Sequence, residues 1–113
     1  MEKMLTVLYC EPGKEAQIIG IENNVKTFEE FLKSPIELVT HPSGKHVLVC
    51  CDYCDSSALP NRSLHGFKKA MDKIVGPFFI CRYKTVGGRI RFESLSDLDF
   101  DKFIREFGEP EKF

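Results

Sequence analysis

The spacing of apolar residues changes several times along this chain, and each change marks an element. Met4-Leu5-Thr6-Val7-Leu8-Tyr9-Cys10 is rich in strand formers and runs into the turn Glu11-Pro12-Gly13-Lys14. Strand character resumes over 16–21, which predicts a first hairpin. Val25, Phe28, Phe31 and Leu32 recur at helical spacing. Asn24 or Thr27 supplies the cap, Thr27-x-x-Glu30 fits a capping box, and Pro35 bounds the helix. Two further strand-like runs, 36–40 and 46–51, flank His41-Pro42-Ser43-Gly44-Lys45, whose Pro and Gly suit a turn. From 52 to 72 no period holds, so the pattern predicts an irregular loop with a helical turn over 67–71. Phe78-Phe79-Ile80-Cys81-Arg82-Tyr83 and Arg89-Ile90-Arg91-Phe92 then flank Val86-Gly87-Gly88, a third hairpin. Phe100, Phe103, Ile104 and Phe107 stand at i, i+3, i+4 and i+7 behind Ser96 or Asp97, and Gly108 and Pro110 stop this last helix.

These elements predict an α+β domain: an antiparallel or mixed sheet of about six strands in three hairpins. One short helix and one C-terminal helix pack on it, both expected on one face. At 113 residues the whole chain, 1–113, reads as a single domain. Ten Phe among 42% hydrophobic residues supply the bulk of its core. The N-terminal apolar run stops at Glu11, too short for a signal peptide or a membrane span, which predicts a cytoplasmic protein without membrane contact. Five cysteines at irregular spacing suit reduced thiols better than a disulfide framework, with Cys50 and Cys81 reading as small core residues.

Charge alters the picture more than composition does. The net charge of −1 hides a segregation: residues 1–61 carry −4, residues 62–91 carry +7 and residues 92–113 carry −4. A basic middle in an acidic frame points to a local anion-binding surface, and the lack of basicity across the domain argues against nucleic acid. Pairing of the basic segment with the acidic ends is the alternative.

Two groups of residues at or within that segment are candidates. Asn61-Arg62 lies in the long loop, where a guanidinium fork matches phosphate or carboxylate and an Asn both donates and accepts. Read structurally, Asn61 pins the loop and Arg62 pairs with a carboxylate. Arg82 and Lys84 are two apart, as are Arg89 and Arg91, so alternation puts each pair on one face of its strand. If the turn register joins those faces, four cations line one patch with Tyr83, Phe79 and Phe92 nearby, suited to phosphates and a stacked base. A solvated sheet face is the alternative.

Other chemistry is thinner. Cys51-x-x-Cys54, near His46 and Cys50, is half of a zinc signature, and the second ligand pair is missing, so neither metal nor cofactor is expected. Cys54 with His65 lacks any local support as a nucleophile and base, and no phosphate loop or hydrolase motif occurs, which argues against an enzyme.

Glu11-Pro12-Gly13-Lys14, Leu59-Pro60-Asn61-Arg62, Ile74-Val75-Gly76-Pro77-Phe78-Phe79-Ile80, Ser94-Leu95-Ser96 and the tail from Phe107 through Pro110-Glu111 to Phe113 occur in an order that spans nearly the whole chain. On these residues the chain resembles an uncharacterised domain-of-unknown-function family of Firmicutes, their phages and conjugative elements. The resemblance implies a small accessory protein of a phage or mobile element, acting in the host cytoplasm, and implies no reaction. With the basic segment, it leads to a non-enzymatic protein that binds a small anionic ligand, a nucleotide-derived signal of host defence being the class to test. The second reading is a module that inhibits or adapts a host protein through an acidic helix face of Asp97, Asp99, Asp101, Glu106 and Glu109. Three hairpins leave sheet edges open, so a homo-oligomer is expected.

Overall fold

A computed structural model describes residues 3–52, 58–64, 66–67 and 73–113. The order is β1 (Met4–Cys10), β2 (Gln17–Glu22), α1 (Val25–Leu32), β3 (Ile36–Thr40), β4 (His46–Cys51), β5 (Pro60–Ser63), β6 (Lys73–Val75), β7 (Phe78–Val86), β8 (Arg89–Glu93) and α2 (Asp97–Phe107). The architecture is α+β with an antiparallel six-stranded sheet, as the pattern predicts. Its strands run β2-β1-β7-β4-β3, with β8 also paired to β7. β7 is the hub: Phe78–Ile80 lie between β1 and β4, and residues 82–86 pair with β8.

The helices do not share a face. Phe78, Ile80, Leu8 and Leu48 meet Phe103 and Phe107 of α2 in one core cluster. Phe79, Cys81, Val47 and Val49 meet Phe28 and Leu32 of α1 in the other. Strands covered on both sides must be apolar at nearly every position, which accounts for the unbroken buried apolar runs 47–50 and 78–81. Phe28 is fully buried, edge-on to Phe79 (5.0 Å) and Phe92 (5.4 Å).

Both helices start on the caps their sequences offer. Asn24 accepts the N–H of Thr27 at 2.7 Å, so Asn24 rather than Thr27 caps α1, and Lys33 ends it in the left-handed conformation at φ 57°. Ser96 caps α2 with a reciprocal box to Asp99. Ile104 of α2 is exposed, contrary to its place in the expected apolar stripe.

The other departure is the long loop. β5 and β6 form a separate two-stranded sheet, with a bulge between Pro60 and Arg62. The helical turn expected over 67–71 falls largely outside the described residues, as does His65.

Candidate functional site

The β7–β8 hairpin carries the candidate surface. Gly87 and Gly88, at φ 59° and 78°, form a two-residue turn of the kind that matches strand twist. They fix the register Arg82↔Glu93, Lys84↔Arg91 and Val86↔Arg89. Directly opposed residues share a face. Arg82, Lys84, Arg89 and Arg91 therefore do line one face, the α2 side of the sheet. The same alternation sends Tyr83, opposite Phe92, to the reverse face, where it packs with the α1 cluster beside Phe79. The aromatic ring is thus separated from the cations, and no stacked base can sit between them.

The four cations differ in what they hold. Arg82 Nη1 lies 3.0 Å from Asp99 Oδ2, and Lys84 Nζ lies 3.0 Å from Glu93 Oε2. The second pair is exposed and weak, so Lys84 remains available to a competing anion. Among the described residues no carboxylate lies within ion-pair distance of Arg89 or Arg91. A cleft of about 260 Å³ beside β8 is lined by Asn23, Val86 and residues 89–92.

Behind this face sits a buried polar cluster that the sequence pattern did not single out. Asp99 accepts from His46 Nε2 (2.9 Å), Arg82 and the Ser96 N–H (2.9 Å). Burial alone would raise the Asp99 carboxyl. The Ser96 backbone, Arg82 and His46 together outweigh it and hold the group well below the usual carboxylate range. Burial in turn pushes His46 below its ordinary value, against the pull of Asp99. His46 Nδ1 lies 2.7 Å from Ser43 Oγ. Beside it, His41 takes the Ser43 N–H on Nδ1 and faces Glu106 through Nε2 at 3.1 Å. The acidic helix face is accordingly divided: Asp99 turns inward and Glu106 is engaged, leaving Asp97, Asp101 and Glu109 outermost.

Asn61 and Arg62 lie elsewhere. Both are fully buried at 0% exposure. Asn61 Nδ2 donates to the carbonyls of Cys10 (2.9 Å) and Gly76 (2.8 Å). Arg62 donates through Nε to Phe107 O (2.8 Å), through Nη1 to Asn61 Oδ1 (2.7 Å) and through Nη2 to Lys14 O (2.6 Å). All three guanidinium nitrogens are held by protein acceptors, and the cation sits at the negative end of α2. The structural reading describes Asn61. For Arg62 the acceptors are carbonyls and an amide oxygen, where a carboxylate was expected. Neither side chain reaches the surface. They latch β5 to the β1–β2 turn and to the end of α2, and Glu111 closes the same junction by accepting from the N–H and hydroxyl of Ser63 at 2.7 Å.

Among the described residues no group of three or more His, Cys, Asp or Glu is placed to hold a metal ion. Cys54 lies outside them. Cys10 and Cys81 are buried thiols, and burial pushes Cys10 up to about 12.

Among known proteins, the chain matches one family model, a domain of unknown function (DUF3846), over residues 4–108. No curated protein and no solved structure matches it. No helix among the described residues is long and apolar enough to cross a membrane.

Proposed function

We propose, from the premise that this chain belongs to the DUF3846 family, that it is a non-enzymatic protein binding a small anionic ligand on the outer face of the β7–β8 hairpin. The observation that carries this reading is the register that gathers Arg82, Lys84, Arg89 and Arg91 on one face while leaving Arg89 and Arg91 without carboxylate partners among the described residues. Arg89 and Arg91 are the gripping groups, Lys84 exchanges Glu93 for the ligand, and Arg82 stays with Asp99. With Tyr83 on the reverse face, recognition rests on charge and forked hydrogen bonds, so phosphate-bearing ligands rank above bare aromatics. The setting we propose is the host cytoplasm, as an accessory protein of a phage or mobile element that sequesters a nucleotide-derived defence signal.

Calorimetry against inorganic phosphate, mononucleotides and cyclic dinucleotides tests it. Loss of the hydrogen bonds of one charged group costs about 1.5–3 kcal/mol, so Arg89→Ala and Arg91→Ala should each weaken binding by about tenfold or more. Unchanged affinity in the double variant would place the ligand on another surface.

A further inference from the structure

Ser43 lies in the turn between β3 and β4, partly exposed, and His46 opens β4 three residues later. The Oγ of Ser43 is 2.7 Å from His46 Nδ1, and His46 Nε2 is 2.9 Å from Asp99 Oδ1. A carboxylate only accepts, so Nε2 carries the ring proton and Nδ1 presents its lone pair to the Ser43 hydroxyl. Arg82 and the Ser96 N–H hold the other Asp99 oxygen, and Phe103 stands edge-on to the imidazole at 4.7 Å. Tautomer and ring orientation are therefore set before any ligand arrives. A hydroxyl, a base in hydrogen-bond reach and a third group orienting the base is the arrangement that activates a nucleophile. The two ring nitrogens exchange places relative to the familiar serine, histidine and aspartate triad, but the direction of proton flow is the same.

We propose that Ser43 is an activated hydroxyl that accepts an acyl group from an ester with an acidic leaving group, with His46 as general base and Asp99 as its orienting partner. Ser43 Oγ forms a bond to the ester carbonyl carbon while its proton passes to His46 Nδ1. The tetrahedral adduct then expels the alcohol or phenol oxygen, which takes that proton from Nδ1, leaving O-acyl serine and a neutral imidazole. The turn limits the donor class. Its N–H groups are engaged internally: Ser43 to His41 Nδ1, Gly44 to His41 O and Lys45 to Ser43 Oγ. Each oxyanion donor a site lacks costs about 10²–10³ in rate, so only esters with good leaving groups react and the acyl-serine accumulates. Lys84, Arg89 and Arg91 take no part, so this proposal and the anion-binding reading fail independently.

The test is incubation of the full chain with p-nitrophenyl acetate, following nitrophenol release, intact mass and acetylated peptides. Ser43 should acquire one acetyl group at least about 100-fold faster than any other serine, the lower end of general-base catalysis. The groups facing His46 are Asp99 from α2, Arg82 from β7 and His41, itself paired with Glu106. With the imidazole held below its ordinary value, Ser43 labelling should level off by about pH 7, whereas lysine acetylation climbs toward about pH 10. Ser43→Ala should abolish the burst with phosphate affinity unchanged. Acetylation of Ser43 no faster than other serines, a profile that follows the lysines, or full labelling in a folded His46→Gln protein would each overturn the proposal. Should His46→Gln fail to fold, the rate ratio and the pH profile still decide.

Discussion

Arg62 buries its guanidinium between β5 and the end of α2. A fully buried guanidinium with no carboxylate among the described residues would ordinarily be costly, yet three backbone segments turn acceptors onto it. Arg62→Ala would leave the carbonyls of Phe107 and Lys14 and the Asn61 amide without their donors at about 1–3 kcal/mol apiece. Denaturant unfolding should therefore show a loss of about 3 kcal/mol or more. Arg89→Ala, on the exposed face, should fall within about 0.5 kcal/mol of the parent. Equal effects would mean that Arg62 is no latch. The buried acid and base make a second prediction at this scale. His46 sits below its unfolded value, so the unfolded chain binds more protons and stability falls as pH drops below about 6.5. Asp99 is also depressed, so its contribution is present above about pH 4 and is lost as pH falls toward its folded value. Thermal melts should show two successive acid losses, the lower one flattened in Asp99→Asn; an unchanged acid limb in that variant would contradict the assignment.

Among the elements, the β7–β8 hairpin uses a turn to align four cations on one face. Gly87 and Gly88 both hold positive φ, and nothing crowds either one, so a side chain there costs conformation rather than space. Gly88→Val should strain the turn by about 1–2 kcal/mol and blur the register that opposes Lys84 and Arg91. The expected outcome is a loss of phosphate affinity in a variant that retains every cation; undiminished binding would show that the register is irrelevant to it. The alignment of the cations was legible in the sequence because strand alternation and a Gly-Gly turn determine it. Tyr83 was equally legible, since the same alternation places it opposite, on the reverse face. The pairing of helices with opposite faces was present in the unbroken apolar runs 47–50 and 78–81, which a sheet open to water on one side would not need. β5 was not legible. Pro60-Asn61-Arg62-Ser63 has no apolar alternation, and its consecutive polar side chains are buried only because a bulge turns both inward toward carbonyls from distant segments. The Ser43, His46 and Asp99 relay was hidden for the same reason, with Asp99 separated from His46 by 53 positions in the chain.

For the whole molecule, motifs scattered along the chain converge on one junction. Glu11-Pro12-Gly13-Lys14, Asn61-Arg62, Gly76 and Glu111 meet where the β1–β2 turn, β5, the approach to β7 and the end of α2 come together. That junction holds the small β5–β6 sheet against the α2 side and leaves the cationic hairpin at the far end of β7. The order of the motifs thus reflects how the domain is closed, and the proposed anion-binding residues lie outside them. The outer edges of β2 and β3 pair with no strand among the described residues, and Ile18 on β2 is 56% exposed. An open, apolar edge is a template for a second chain, so self-association through β2 is the expected way to cover it. Light scattering at tens of micromolar, a range typical of weak oligomers, should report a dimer or larger closed assembly. Ile18→Lys, which sets a charge on the edge without touching the core, should shift that assembly to monomer with little change in melting temperature at high dilution. A parent protein that is already monomeric under these conditions would show that the β2 edge stays open in solution and that its exposed isoleucine serves no contact between copies.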